Sequence, residues 1–192
     1  MMAAAATAAR LDEWAAIRAP DCPLHLEPRD LPISAATLTE MLSRAPAMFK
    51  FEGTTDGIAD HYADLPADLI ADVAALARRF AAVMDVARVR VRIERTDSNA
   101  CRKVHADYTD VRLITTYLGP GTDIAPHATE EDRSECCLER VPTGWVGLLK
   151  GRTYHPDHPA CYHRSPPAGD MGEKRLVLVI DTPAGPQTLG RQ

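Results

Sequence analysis

The sequence has no excess of basic residues. Lys plus Arg total 22 against 27 Asp plus Glu, for a net charge of -5. This leaves no electrostatic footprint for nucleic acid or an anionic membrane. Small-molecule cofactors or metal-bound partners are the expected class, and a protein partner is left unassigned. Long hydrophobic runs are also absent: the longest strongly apolar stretch is Leu176 to Ile180, far short of the roughly 20 residues that cross a bilayer as a helix. A disulfide framework is missing too. Cys22, Cys101, Cys136, Cys137 and Cys161 are an odd number without regular spacing, which favours a reducing compartment and a cytoplasmic location. The alanine-rich Met1 to Arg10 has neither a basic n-region nor a strongly apolar h-region, so it reads as a loose tail rather than a signal peptide.

The 192 residues are enough for one globular domain with its own core. Residues 11–85 read as helical. Leu38, Met41, Leu42 and Ala45 follow i, i+3, i+4, i+7 spacing before Pro46, and Leu69, Val73, Leu76, Phe80 and Val83 mark one face of a stronger helix. Pro66 can open that helix, and Asp68 and Asp72 sit favourably near its positive end. From residue 86 the period changes to 2. Val89, Val91 and Ile93 alternate with Arg88, Arg90 and Arg92, the pattern of a half-buried strand. Further strands are predicted over Val111–Leu118, closed by the turn signal Gly119-Pro120-Gly121, and over Trp145–Leu149 and Lys174–Asp181. The organisation is therefore α+β: a tail at 1–10, helices over 11–85, a β core over 86–182 and a tail at 183–192. Between the second and third strands, 122–143 is polar and too long for a plain hairpin, so it reads as a lid, a binding loop or a surface excursion.

Three His-x-acid triplets occur: His25-Leu26-Glu27, His105-Ala106-Asp107 and His155-Pro156-Asp157. In an extended segment residues i and i+2 point to the same side and can grip one ion. The first triplet lies in a proline-rich stretch and His155 of the third sits in a loop beside Pro156 and Pro159, whereas His105 precedes the strongest strand-and-turn pattern. A second histidine from a distant strand would complete the 2-His-1-carboxylate triad associated with non-haem Fe(II). His163 is placed to supply it. Further on, Arg175, Val177 and Val179 share one strand face, so a guanidinium projects among apolar side chains and wants a carboxylate. That partner is either a bound 2-oxo acid or one of the chain's own acids.

His105-x-Asp107, the strand Arg112 to Leu118, a long insertion, Gly144 to Gly151, His163, and Gly172-Glu173-Lys174-Arg175 before a last strand resemble, in their order, the Fe(II)/2-oxoglutarate oxygenases of prolyl-hydroxylase type. The resemblance spans roughly residues 88 to 181. It implies a double-stranded β-helix (jelly-roll, cupin-like) core, His105, Asp107 and His163 as iron ligands, and Arg175 with Tyr117 as contacts for 2-oxoglutarate. More closely, Cys101 to Asp107, Arg112 to Thr122, Leu149-Lys150-Gly151 and His163 to Pro167 resemble a bacterial family catalogued as domain of unknown function eighteen-twenty-six. That family carries no established reaction and is associated with zinc-homeostasis gene neighbourhoods.

The residues also allow rivals. Cys101, His105, Cys161 and His163 would make a closed two-Cys, two-His zinc site, structural and without an open position. A non-enzymatic metal-binding or zinc-handling protein would use these residues or the triad, and His155 and His158 could extend such a site. Cys136-Cys137 reads as a reduced exposed pair able to bind soft metals. The row Arg88, Arg90, Arg92 and Arg95 reads as a solvated strand face or a phosphate track. A metal-binding, oxygenase-like protein acting on an unidentified substrate is the expected function.

Overall fold

The computed structural model describes residues 13–44, 46–99, 101–135 and 137–183. Both predicted tails lie largely outside them, and so do Ala45 and Cys136. The helices are α1 (Ala35–Arg44), α2 (Ile58–His61), α3 (Ala67–Met84) and α4 (Ala168–Met171). The strands are β1 (Leu24–Glu27), β2 (Met48–Gly53), β3 (Val89–Thr96), β4 (Val111–Leu118), β5 (Asp123–Ile124), β6 (Glu139–Arg140), β7 (Val146–Lys150), β8 (His163–Arg164) and β9 (Arg175–Asp181). They form a six-stranded sheet of order β1-β7-β4-β9-β3-β2 and a three-stranded sheet β6-β5-β8. Every pairing is antiparallel.

α3 forms where the apolar stripe predicted it. Leu69, Val73, Leu76, Phe80 and Val83 are all buried, and the helix stops at Asp85, whose left-handed φ of 52° directs its N–H back onto the carbonyls of Ala81 and Ala82. The stripe packs on one face of the large sheet, against Val89, Val91, Ile93, Leu113, Leu176, Leu178 and Ile180. Strand alternation then puts Arg90, Arg92, Arg112, Arg175 and Asp181 on the other face. A second apolar cluster on that face joins Leu149 of β7 to Ile124 and Cys161, binding the small sheet over the large one. β9 lies between β4 and β3 and is buried along its whole length, which is why it reads as an unbroken apolar run.

The 11–85 region departs from the helical expectation. It holds α1 and α3, and it also supplies β1 and β2, the two edge strands of the large sheet. β1 has only four residues, too few for a readable period. In β2 the period is present but weak, with Phe49 and Phe51 half-buried between exposed Met48, Lys50 and Glu52. The 122–143 stretch is likewise not one loop. Its ends pair as β5 and β6, Asp123 with Arg140 and Ile124 with Glu139, which confines the irregular part to 125–138.

Candidate metal centre

His105 and His163 are joined by their backbones before their side chains meet. The His105 N–H donates to the His163 carbonyl at 2.9 Å and the His163 N–H to the His105 carbonyl at 2.8 Å, a reciprocal antiparallel bridge. Residues paired in this way project to the same side, so the imidazole centroids lie 4.8 Å apart. Asp107, two residues beyond His105, turns in beside them. Its Oδ1 is 3.6 Å from His105 Nε2 and its Oδ2 is 3.3 Å from His163 Nε2. Among the described residues this is the one group of three or more such side chains whose ligand atoms all lie within 4.8 Å of one another.

The donor set suits a divalent ion. His105 Nδ1–H donates to the Lys103 carbonyl at 2.9 Å and His163 Nδ1–H to the Cys161 carbonyl at 3.2 Å. Each ring is thereby fixed with Nε2 toward Asp107, the outer-shell arrangement that metal-ligating imidazoles use. Asp107 Oδ2 is buried and accepts no hydrogen bond. Arg112 Nη1 lies 2.7 Å from it as an ion-pair partner but off the line of a hydrogen bond. Burial pushes the Asp107 carboxyl up, but its contacts with His105 and His163 and the charge of Arg112 outweigh this and hold it well below the usual carboxylate range. In the metal-free chain Asp107 raises the His105 imidazole against the opposing effect of burial. A bound cation would replace that proton.

Arg112 is the functional neighbour that sequence reasoning missed. Its Nε and Nη2 form a bidentate pair with Asp181, at 2.8 and 3.0 Å, while Nη1 faces Asp107. It ties a triad residue to the end of β9. The available signal was the alternation Arg112, Ile114, Thr116 on β4, which puts a charge on a buried face. Behind it, the 107–110 turn is gripped by backbone: Arg152 N–H donates to the Asp107 carbonyl at 2.8 Å and Gly151 N–H to that of Asp110 at 2.6 Å. Only glycine fits at 151, where a Cβ would stand 2.1 Å from the Thr109 carbonyl oxygen.

Arg175 is buried to 1 % exposure. Its Nε donates to the Pro120 carbonyl at 2.6 Å and its Nη2 contacts Thr122 Oγ1 at 3.4 Å. Among the described residues no carboxylate lies within ion-pair distance. The alternative that it pairs with one of the chain's own acids is not what the structure contains. Burial pulls its guanidinium down to about 10, and Asp123 offsets only part of this. The Gly119-Pro120-Gly121 turn brings the Pro120 carbonyl in: Gly119 has φ 78°, and a Cβ there would meet the Lys174 carbonyl oxygen at 2.2 Å. Thr122 lies two residues before Ile124, which pairs with His163. Alternation therefore turns Arg175's contact and the histidine into the same space between the sheets.

Other expected contacts are not brought together. Tyr117 is on the wrong face for a cofactor contact: its hydroxyl donates to Asp72 of α3, an acid also paired with Arg29, in the helix-side core. Plain alternation along β4 puts Tyr117 on the helix side with Val111 and Leu113. Cys101 and Cys161 do not join the histidine cluster. Cys101 is exposed, whereas Cys161 is buried and its thiol is pushed up to about 12 by burial, which disfavours the thiolate that zinc requires. His155 and His158 stack on each other at 4.7 Å, with His158 Nδ1 3.3 Å from Lys150 Nζ. Arg90 and Arg92 approach Asp181 at 3.9 and 3.8 Å, and Arg92 pairs with Glu94. Cys137 is exposed and free. The 125–138 excursion is pinned through Glu130, which accepts from the Tyr162 hydroxyl at 2.8 Å and pairs with Arg133 and Arg152.

The profile of the family described as "Protein of unknown function (DUF1826)" matches residues 10–181, and the chain belongs to that family. No curated protein matches it. Several solved oxygenases share its fold. Dioxygenase for auxin oxidation 1 from Arabidopsis thaliana, in a binary complex with 2-oxoglutarate, superposes with a TM-score of 0.52 at 11 % identity, covering 94 % of this chain and 90 % of that one. A dioxygenase for auxin oxidation from rice gives 0.52 at 12 % identity, over 92 % and 79 %. A Pseudomonas putida prolyl-4-hydroxylase gives 0.52 at 11 %, over 92 % and 98 %. The likeness at these identities is one of fold: helices on antiparallel sheets. No described helix is long and apolar enough to cross a membrane.

Proposed function

We propose that the chain is an Fe(II)/2-oxoglutarate-dependent oxygenase with a double-stranded β-helix core on which the N-terminal helices pack. In this reading His105 Nε2, one Asp107 oxygen and His163 Nε2 hold the metal, and Arg175 holds the far carboxylate of the 2-oxo acid. The observation that carries it is Arg175 itself, a buried guanidinium with only neutral oxygens as partners, on the sheet face that also carries Arg112, the ion-pair partner of Asp107. A buried cation is retained at a cost unless a counter-charge arrives. The bidentate fork of arginine matches a ligand carboxylate. A metal carrier would need the triad and has no use for that cation.

When bound, the iron and the 2-oxo acid supply the oxidising chemistry. The chain's own residues orient and exclude. The Lys103 and Cys161 carbonyls hold the two imidazoles in one tautomer, and Arg112, anchored on Asp181, keeps the Asp107 carboxylate turned inward. Leu149 and Ile124 keep the space between the sheets dry, which strengthens the charged contact at Arg175.

The test is an anaerobic titration of the Fe(II)-loaded protein with 2-oxoglutarate, followed by the weak visible charge-transfer band of a chelated 2-oxo acid. Arg175→Ala is expected to weaken binding tenfold or more, since a charge-assisted pair contributes about 1.5 to 3 kcal/mol, while the metal stays in place. Absence of 2-oxoglutarate binding by the correctly metallated wild type rejects the oxygenase reading and favours a metal-handling protein built on the same triad.

A further inference from the structure

A cavity of about 740 Å³ opens directly beside His105, lined by Asn99, Cys101, Arg102, Lys103, Arg133 and Glu135 among others. Its volume lies in the range of small-molecule sites. Its charge runs against that of the chain, which carries a net -5. The one lining acid, Glu135, is engaged by Arg164 at 2.6 Å. Arg133 shares Glu130 with Arg152, so one carboxylate serves two guanidiniums. Arg102 and Lys103 are exposed and have no acidic partner among the described residues. What remains in the wall is unneutralised positive charge, Arg102 and Lys103, on the short segment between Cys101 and His105.

The rim that carries these cations is held at both ends. The Cys101 carbonyl accepts the Ser165 N–H at 3.0 Å, and His105 is locked to His163 by their reciprocal bonds. The side chains of Arg102 and Lys103 therefore spring from backbone of fixed distance to the triad, as recognition of an anion at a set distance from a reacting atom requires. None of the acids nearest the triad competes for them: Asp107 faces Arg112, and Asp123 is shared by Arg140 and Arg164.

We propose that this cavity binds the oxyanion of a small acidic molecule, a carboxylate or a phosphate, with Arg102 and Lys103 as the recognising cations. Assigning that molecule as the substrate rests on the oxygenase reading. The anion site stands on the cavity alone.

The experiment uses metal-free full-length protein, so that no probe can act by chelating the ion. Benzoate, phenyl phosphate and neutral benzyl alcohol are titrated separately while backbone amide shifts are recorded. Benzoate or phenyl phosphate is expected to shift the amides of Arg102, Lys103 and Val104, and the stronger of the two identifies the oxyanion. The double variant Arg102→Gln/Lys103→Gln is expected to weaken that binding at least tenfold. Raising the salt from 0.05 to 0.5 M should weaken it further in wild type than in the variant. No shift at Arg102 to Val104, equal shifts with benzyl alcohol, or unchanged affinity in the double variant overturns the proposal. Metal content is measured in parallel on reloaded wild type. If wild type takes up no ion while the acids still bind, the oxygenase reading fails and the anion site survives. One ion per chain with no anion binding overturns the anion site and leaves the oxygenase reading standing.

Discussion

The two faces of strand β9 follow opposite rules. Leu176, Leu178 and Ile180 meet the helices in an apolar layer where burial accounts for every residue. On the other face Val177 and Val179 are flanked by two equally buried charges, Arg175 held by neutral oxygens and Asp181 held by Arg112, which burial alone would never select. Where a fold retains charge in its interior, stability is not what that charge provides. The helix side holds the molecule together, and in the proposed oxygenase reading the other side serves the metal and its ligand.

That division can be attacked from either face. The largest effect is expected at the triad: His105→Ala should reduce metal content from about one ion per chain to none while changing metal-free stability by only about 1 kcal/mol, because the side chain is a third exposed and packs little. Metal analysis with denaturant unfolding checks both halves. Cys101→Ser and Cys161→Ser should keep the ion, and its loss would restore the closed zinc site. Next comes Leu178→Ala on the helix face, expected to cost roughly 2 to 5 kcal/mol through the cavity it leaves. The folded fraction should still load metal normally. Coupled loss of both would mean that the faces are not separable.

A smaller effect concerns pH. Asp107 raises the His105 imidazole in the metal-free chain, so protons compete with the ion there, and affinity should begin to fall already above the ordinary imidazole value and keep falling as the pH drops through it. Calorimetry in buffers of different ionisation heat should detect proton release on binding, and an affinity flat from pH 8 to 5 would contradict it. The smallest shift is the most diagnostic. Arg175→Met, which replaces a buried cation by an apolar chain of similar length, should leave the Tm unchanged or slightly raised while 2-oxoglutarate binding is lost. A fall of several degrees would make Arg175 a structural residue and blur the contrast between faces.

The sequence makes the periodic parts of this picture visible. The stripe of α3, the alternation in β3 and the apolar run of β9 each reflect burial, and β4 and β9 reappear within a residue of their expected bounds. His105 and Asp107 were legible as a pair because i, i+2 spacing on extended backbone is a local property, whereas His163 entered only through the order of motifs shared with the oxygenases. What was not legible is tertiary in origin. β1 and β2 exist because a neighbour offers them a free edge. Tyr117 faces the helices by the alternation it shares with Val111 and Leu113, but its partner Asp72 lies 45 residues away. Arg112 matters through Asp181, 69 residues away, and no local pattern announces that pairing.

The position of β9 also bears on how the chain folds. β3 and β4 do not pair with each other. Each pairs with β9, which enters between them although it is the last strand among the described residues. Until residue 181 has left the ribosome, two long strands each present an unsatisfied edge, and the sheet can close only by late insertion of its central member. Contacts of such long sequence separation are slow to form, and open edges invite pairing with other chains. A nascent chain halted before Arg175 should therefore depend on chaperones or aggregate.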